Sequence, residues 1–155
     1  MLINHQQGFL LENQPKMKKK LGLSFIPLNP DLGLLLLRIC LATLMIVFHG
    51  WEKLMTASKQ LHTFPDLIGI SSEASYILVA WLENFGAILI ALGLLTRIHA
   101  LGLAVTMFVA FFLWHDMRFT GSNAGEMAFA YGFGYLMLLF TGAGKYSLDY
   151  KFGIK

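Results

Sequence analysis

The sequence is short of charge and almost without cysteine. Only 14% of its 155 residues are charged, against about a quarter in an ordinary soluble domain. One cysteine, Cys40, stands alone, which excludes an internal disulfide and a cysteine-built metal centre. There is no Gly-rich phosphate loop, no nucleophile elbow, no paired-cysteine motif and no HExxH zinc motif. There is also no internal repeat, no low-complexity tract and no stretch that reads as a separate soluble domain. These absences remove the common signatures of nucleotide, acyl-transfer and zinc chemistry.

What is present is apolar. Hydrophobic residues make up 56% of the chain, with fifteen glycines and thirteen phenylalanines, and the mean hydropathy is +0.61. Glycine at this level fits membrane helices. The formal charge of +3 does not point to nucleic acid, because the basic residues flank hydrophobic segments. The partner implied is the lipid bilayer.

The chain is organised around its first apolar stretch, residues 32–54, long enough to cross a bilayer as a helix, which takes roughly 20 apolar residues. Asn29-Pro30-Asp31 reads as its start: a capping side chain, a proline suited to the first helical position, and an acid at the positive helix end. Arg38 and His49 lie eleven positions apart in it. At about 100° and 1.5 Å per residue they return to nearly one face, roughly 16 Å apart along the axis. That face must meet protein, since an arginine in hydrocarbon costs several kcal/mol.

Three further spans follow, at about 74–95, 100–114 and 124–140. Glu83 sits in the middle of the second, with Gly86 and Gly93 on its face, so it should point at a neighbouring helix. Ser72 is the expected cap of that span. Residues 55–72 read as an apolar loop capping the bundle, broken by Pro65 and Gly69. Thr96 to His99 reads as a tight turn, with His62 and His99 as solvated loop residues. Ala128/Gly132 and Ala130/Gly134 give the fourth span a packing face. The GFGYL stretch from Gly132 resembles a channel filter only faintly and reads as packing.

Orientation follows the distribution of Lys and Arg. One side holds Lys16, Lys18, Lys19, Lys20, Arg97, Lys145, Lys151 and Lys155; the other holds Lys53, Lys59 and Arg118. The basic run could open a signal peptide, but the apolar stretch after it is too long and lacks a cleavage site, so it reads as a retained anchor. The expected architecture is an all-α membrane protein: a four-transmembrane-helix bundle with both termini cytoplasmic. Residues 1–30 are expected as a cytoplasmic tail, 31–144 as the bundle, and 145–155 as a second, basic cytoplasmic tail.

Two groups of polar residues carry the functional reading. Arg38 and Glu83 are expected to face each other, either as a buried ion pair fixing helix register or as an anion, quinone or proton site. His49, His115 and Glu126 end or begin three different spans at the same membrane depth, with Glu52, Lys53 and Asp116 beside them. They are expected to converge on one pocket under the outer rim, beneath the 55–72 loop, because burying them apart would leave polar groups unmet. Such a cluster suits proton exchange near neutral pH, and Phe48, Trp51 and Trp114 could wall a quinone, although interfacial anchoring explains the tryptophans more simply. The spacing matches no metal motif, so no metal site is assigned.

Several of these residues also carry a resemblance. Arg38, His49-Gly50 with Lys53-Leu54, Glu83 with Gly86, the GLLTR turn from Gly93 to Arg97, His115, Glu126 and the closing TGAGKYSLD from Thr141 to Asp149 together resemble the DoxX family over about residues 32–149. Ala87 stands where the family tends to a second glycine. The resemblance implies a multi-pass four-helix protein of the bacterial inner membrane. It also implies a link to membrane oxidoreductases, since some relatives are subunits of enzymes such as thiosulfate:quinone oxidoreductase. The expected function is an accessory or quinone-linked subunit of a membrane redox system, with redox partner subunits, room for a homodimer, and quinone as the cofactor it would take. The alternative is a small proton-coupled transporter or a purely structural membrane subunit.

Overall fold

The computed structural model describes residues 27–154; the basic run from Lys16 to Lys20 lies outside them, as does Lys155. The described residues form an antiparallel bundle of four main helices: α1 (Pro30–Gln60), α2 (Ser72–Leu92), α3 (Thr96–Trp114) and α4 (Glu126–Thr141), followed by a short α5 (Leu148–Phe152). The first three are long and apolar enough to cross a membrane, and α4 is a shorter apolar helix. Apolar side chains such as Leu36, Phe85, Ile98 and Phe140 cover the outside of the bundle. A soluble monomer would not expose so much continuous apolar surface.

The start of α1 is as the sequence foretells: Asn29 Oδ1 accepts from Leu32 N at 3.0 Å, with Pro30 in the first turn. Its end is not. The helix runs past Leu54 to Gln60, because nothing before Pro65 breaks it. At 31 residues it is about 46 Å long, against a hydrocarbon core of about 30 Å, so its last turns project beyond the core. None of the residues of its final segment, Trp51–Gln60, is fully buried. The cap of α2 is Ser71, one residue earlier than expected, whose Oγ accepts from Ala74 N at 3.3 Å.

Helix α3 begins at Thr96, not Ala100. Thr96 to His99 is therefore helix, and His99 is buried, with Nδ1 donating to Leu95 O at 2.9 Å. The turn before it is only three residues, 93–95, with Gly93 and Leu95 both at positive φ, 70° and 49°. Asp149 makes so short a turn workable. Its carboxylate accepts from Leu95 N at 2.7 Å and Thr96 N at 2.9 Å, capping α3 from another part of the chain, and its own N–H donates to Gly93 O at 2.8 Å. Residues 145–149 are thus docked on the bundle and are not a free tail.

Arg38 belongs to this same junction, and here the expected pairing with Glu83 fails. Arg38 is fully buried. Its Nη1 donates to Ile90 O at 3.3 Å and Ala91 O at 3.2 Å, and its Nη2 to Tyr146 O at 2.6 Å. The first two acceptors are carbonyls at the C-terminal end of α2, where orphan carbonyls and the helix dipole both favour a cation. Gly93 leaves the room: a Cβ there would strike the Arg38 guanidinium and Ser147. Lys145 N donates to Asp31 Oδ1 at 2.9 Å, so the start of α1 and the segment after α4 lie together at one end. We call this the inner end.

The core between these helices is Met45, Ile90, Leu103, Tyr135 and Leu138, each 0% exposed. Helices α3 and α4 pack most extensively. Gly132 lies under the Phe108 ring and Gly134 against Leu41, so the GFGYL stretch is packing, and Tyr135 of that stretch donates to Leu41 O at 3.3 Å. Phe111, Phe119, Phe129 and Phe133 bind the outer ends of α3 and α4 through successive ring contacts of about 5 Å.

Candidate functional site

Each of the three long helices contains one π-helical turn: Ile46–Gly50 in α1, Leu82–Gly86 in α2 and Ala110–Trp114 in α3. Such turns are rare, insert an extra residue, and concentrate at functional sites. All three border one cavity in the outer half of the bundle. It has a volume of about 920 Å³ and contains His49, Lys53, Glu83, His115 and Tyr131 in its lining.

The π turns hold each other in place. Gly50 abuts α2 so closely that a Cβ would lie 2.6 Å from Asn84 Oδ1 and 2.8 Å from the Glu83 carbonyl. Asn84 Nδ2 donates to Gly50 O and to Ala80 O, both at 2.9 Å. One buried amide therefore serves two carbonyls where the helical ladder is loosened, and an unmet carbonyl there would cost a few kcal/mol.

Glu83 is buried, and its partner is Lys53. Lys53 Nζ lies 2.8 Å from Glu83 Oε2, as a charge contact outside the directions of a good hydrogen bond. Lys53 comes from the turn of α1 after His49, the spacing that puts i and i+4 on one face. His49 meets the edge of Tyr131, ring centres 5.6 Å apart at 89°. Among the described residues, no protein group hydrogen-bonds the His49 ring or the Tyr131 hydroxyl. His115 Nδ1 donates to the Asn123 carbonyl at 3.2 Å, which leaves its Nε2 as the acceptor. Gly125 packs against the His115 ring, where a Cβ would come within 2.7 Å of the side chain.

Of the residues expected here, His49, Glu83 and His115 do gather around one cavity. Glu126 does not join them: it is exposed at the first turn of α4, while Ala128 turns inward. Arg38 is in the inner junction instead. Trp114 lines the cavity, whereas Phe48 and Trp51 face outward. Sequence reasoning missed Tyr131 and Asn84. Asn84 carried a readable signal, a polar side chain next to Glu83 inside an apolar span; Tyr131 carried none. Among the described residues, no three of His, Cys, Asp and Glu come together to hold a metal ion.

The loop over the cavity is built on Asp66. Its carboxylate accepts from Gly69, Ile70 and Ser71 N–H at 2.9–3.0 Å and from Ser75 Oγ at 3.2 Å. These bonds, that from Ser71 first, hold its pKa below the usual carboxylate value. Thr63, Phe64, Pro65, Leu67 and Ile68 of this loop line the cavity, as expected of a cap. Phe64 packs edge-on against Tyr76, and the Tyr76 hydroxyl donates to the Lys53 carbonyl, tying loop, α1 and α2 together.

Comparison with known proteins bears on the family of the chain. A protein of Haemophilus influenzae, described as uncharacterized, is 33% identical over 121 residues, covering 75% of this chain and 87% of that one. No solved structure matches the chain. The DoxX family model matches residues 33–116, which include Arg38, the three π turns and the cavity residues of α1 to α3. With half the chain matched by that model and a relative aligned over three quarters of it, the chain belongs to the DoxX family.

Proposed function

We propose that this protein is a multi-pass component of the bacterial inner membrane with both termini cytoplasmic, and that its outer cavity is the quinone site of an accessory subunit in a membrane redox system. The single supporting observation is the composition of the cavity: a largely apolar space with His49, Lys53, Glu83, His115 and Tyr131 around it. Sites for small amphipathic molecules have this form, apolar walls with a few placed polar groups. A quinone headgroup fits such a set, offering carbonyl oxygens to Lys53, His49 and the Tyr131 hydroxyl. Imidazoles exchange protons near neutral pH, and quinone reduction consumes protons. Electrons would come from a partner subunit. The orientation is supported by the lysines and arginines. Lys53 is turned inward to Glu83, and Arg118 pairs with Asp116 at 3.4 Å, which leaves the outer face with few free cations.

The test is direct. The protein is purified from membranes in mild detergent, extracted with organic solvent, and the extract read as an oxidised-minus-reduced ultraviolet spectrum. The expected result is a quinone band that His49→Ala and His115→Ala abolish while the protein still inserts and folds. No band in any preparation sinks the quinone reading and leaves the proton-coupled carrier or the structural subunit.

A further inference from the structure

The cavity is not a closed chamber. Helix α2 packs on α3 chiefly from Trp81 onward; the earlier part packs more on the outer turns of α1. The outer halves of α2 and α3 therefore diverge, and the cavity fills the wedge between them. Its lining follows one stripe of α2, Ser75, Leu78, Val79 and Leu82, and one stripe of α3, Ile98, Gly102, Val105, Val109 and Ala110, both at helical spacing. Leu78 and Val105 on these stripes are 45% and 54% exposed, on the flank of the bundle that faces hydrocarbon. The charge pair of the lining, Lys53 of α1 with Glu83 of α2, lies at the π turns and not on the Leu78–Val105 flank.

The geometry points to a laterally open cleft that admits its ligand sideways from the bilayer: a molecule with an oxygen-bearing head at Lys53 and His49 and a hydrocarbon chain lying between Leu78 and Val105. The quinone reading supplies the nature of the head, and this inference rests on it there. The chain and its path rest on the wedge alone. The outer route is covered by the Asp66 loop and the projecting end of α1. The flank has no such cover, and a chain there replaces lipid contacts with protein contacts along two apolar stripes. Because the chain leaves hydrocarbon and not water, its gain comes from packing along the two stripes, which sums many small contacts.

The experiment uses the full chain in detergent micelles, with Trp51→Phe and Trp81→Phe so that Trp114 alone reports. Four probes are titrated: a benzoquinone with and without a decyl chain, and phenol with and without a decyl chain. With each probe counted at its concentration within the micelle, we expect the decyl quinone to bind several-fold more tightly than the chainless one. Leu78→Phe with Val105→Phe, which narrows the mouth, should remove that gain and weaken the chainless quinone much less. Lys53→Met with Glu83→Met, in which no buried charge is left unpaired, should weaken both quinones. If neither quinone binds but decyl phenol is held and then lost on narrowing, the redox reading fails and the lateral cleft stands. Equal binding of decyl and chainless probes, equal weakening of both by the phenylalanines, or no binding of any probe overturns the cleft.

Discussion

Lys53 Nζ and Glu83 Oε2 are 2.8 Å apart, and this contact, between α1 and α2 at the level of their π turns, is the only ion pair among the described residues in which one partner is fully buried. Removing one member should be far worse than removing both. Lys53→Met leaves a buried carboxylate without its cation and should cost on the order of 3–5 kcal/mol. Lys53→Met with Glu83→Met should recover most of that. Thermal unfolding in detergent measures both; a double variant as damaged as the sum of the singles would show that the residues are not coupled.

Arg38 holds the inner end through three backbone carbonyls, so its loss should show first in the segment it anchors. Arg38→Met removes several charge-assisted hydrogen bonds and should destabilise by roughly 3 kcal/mol. Hydrogen exchange should rise from Tyr146 to Asp149 before it rises in α4. Arg38→Lys keeps the charge but not the forked geometry, and should restore only part of the protection. Unchanged exchange there in Arg38→Met would refute the anchor.

Two glycines of α1 should respond oppositely to the same change. At Gly50 a Cβ meets Asn84 and the Glu83 carbonyl, whereas at Gly33 it meets nothing within 4 Å. Gly50→Ala should separate α1 from α2 and cost about 1–3 kcal/mol. Gly33→Ala should be neutral or slightly stabilising, since alanine is the better helix former. Melting temperatures of the two variants decide this; equal values would mean that the helices do not approach closely at Gly50.

The loop over the cavity should loosen in acid. The folded Asp66 carboxyl has a pKa held below its ordinary value of 3.8. A depressed carboxyl contributes stability above its unfolded pKa, and that contribution is lost as pH falls through the folded value. Protease cleavage within residues 61–71 should therefore be constant from neutral pH down to about pH 4 and increase below it. Asp66→Ala should be cleaved readily throughout. A loop equally protected at every pH would show that Asp66 does not organise it.

Much of the architecture is legible in the sequence because it rests on run length and on polar residues in apolar company. The four helices, the start of α1 at Asn29, the packing role of Gly132 and Gly134, and the convergence of His49 with His115 all follow from such signals. The partner of Arg38 is not legible, because carbonyls are present at every residue and leave no mark in a sequence. The same holds for Asp149, whose role as the cap of α3 is set by backbone N–H groups more than fifty positions away. The pairing of Glu83 failed for a different reason. Arg38 lies level with Ile90 and Ala91, about 11 Å along α2 from Glu83, too deep for the pairing that the offset of about one turn allowed.

A π turn is also a place where a helix can be rewound. Each residue of an α-helix turns the chain by about 100°, so removing the extra residue of the Ile46–Gly50 turn, by deleting Val47 or Phe48, would act as a screw turned by about that angle. Everything before the turn, Arg38 and its carbonyls included, would keep its place. His49 and Lys53 would swing from the cavity wall toward hydrocarbon. The same holds for Glu83 in α2. The inner half of the molecule thus acts as a fixed chuck and the outer parts of α1 and α2 as two bits, which such a deletion would turn to present a different side chain to the cavity without the chuck being released.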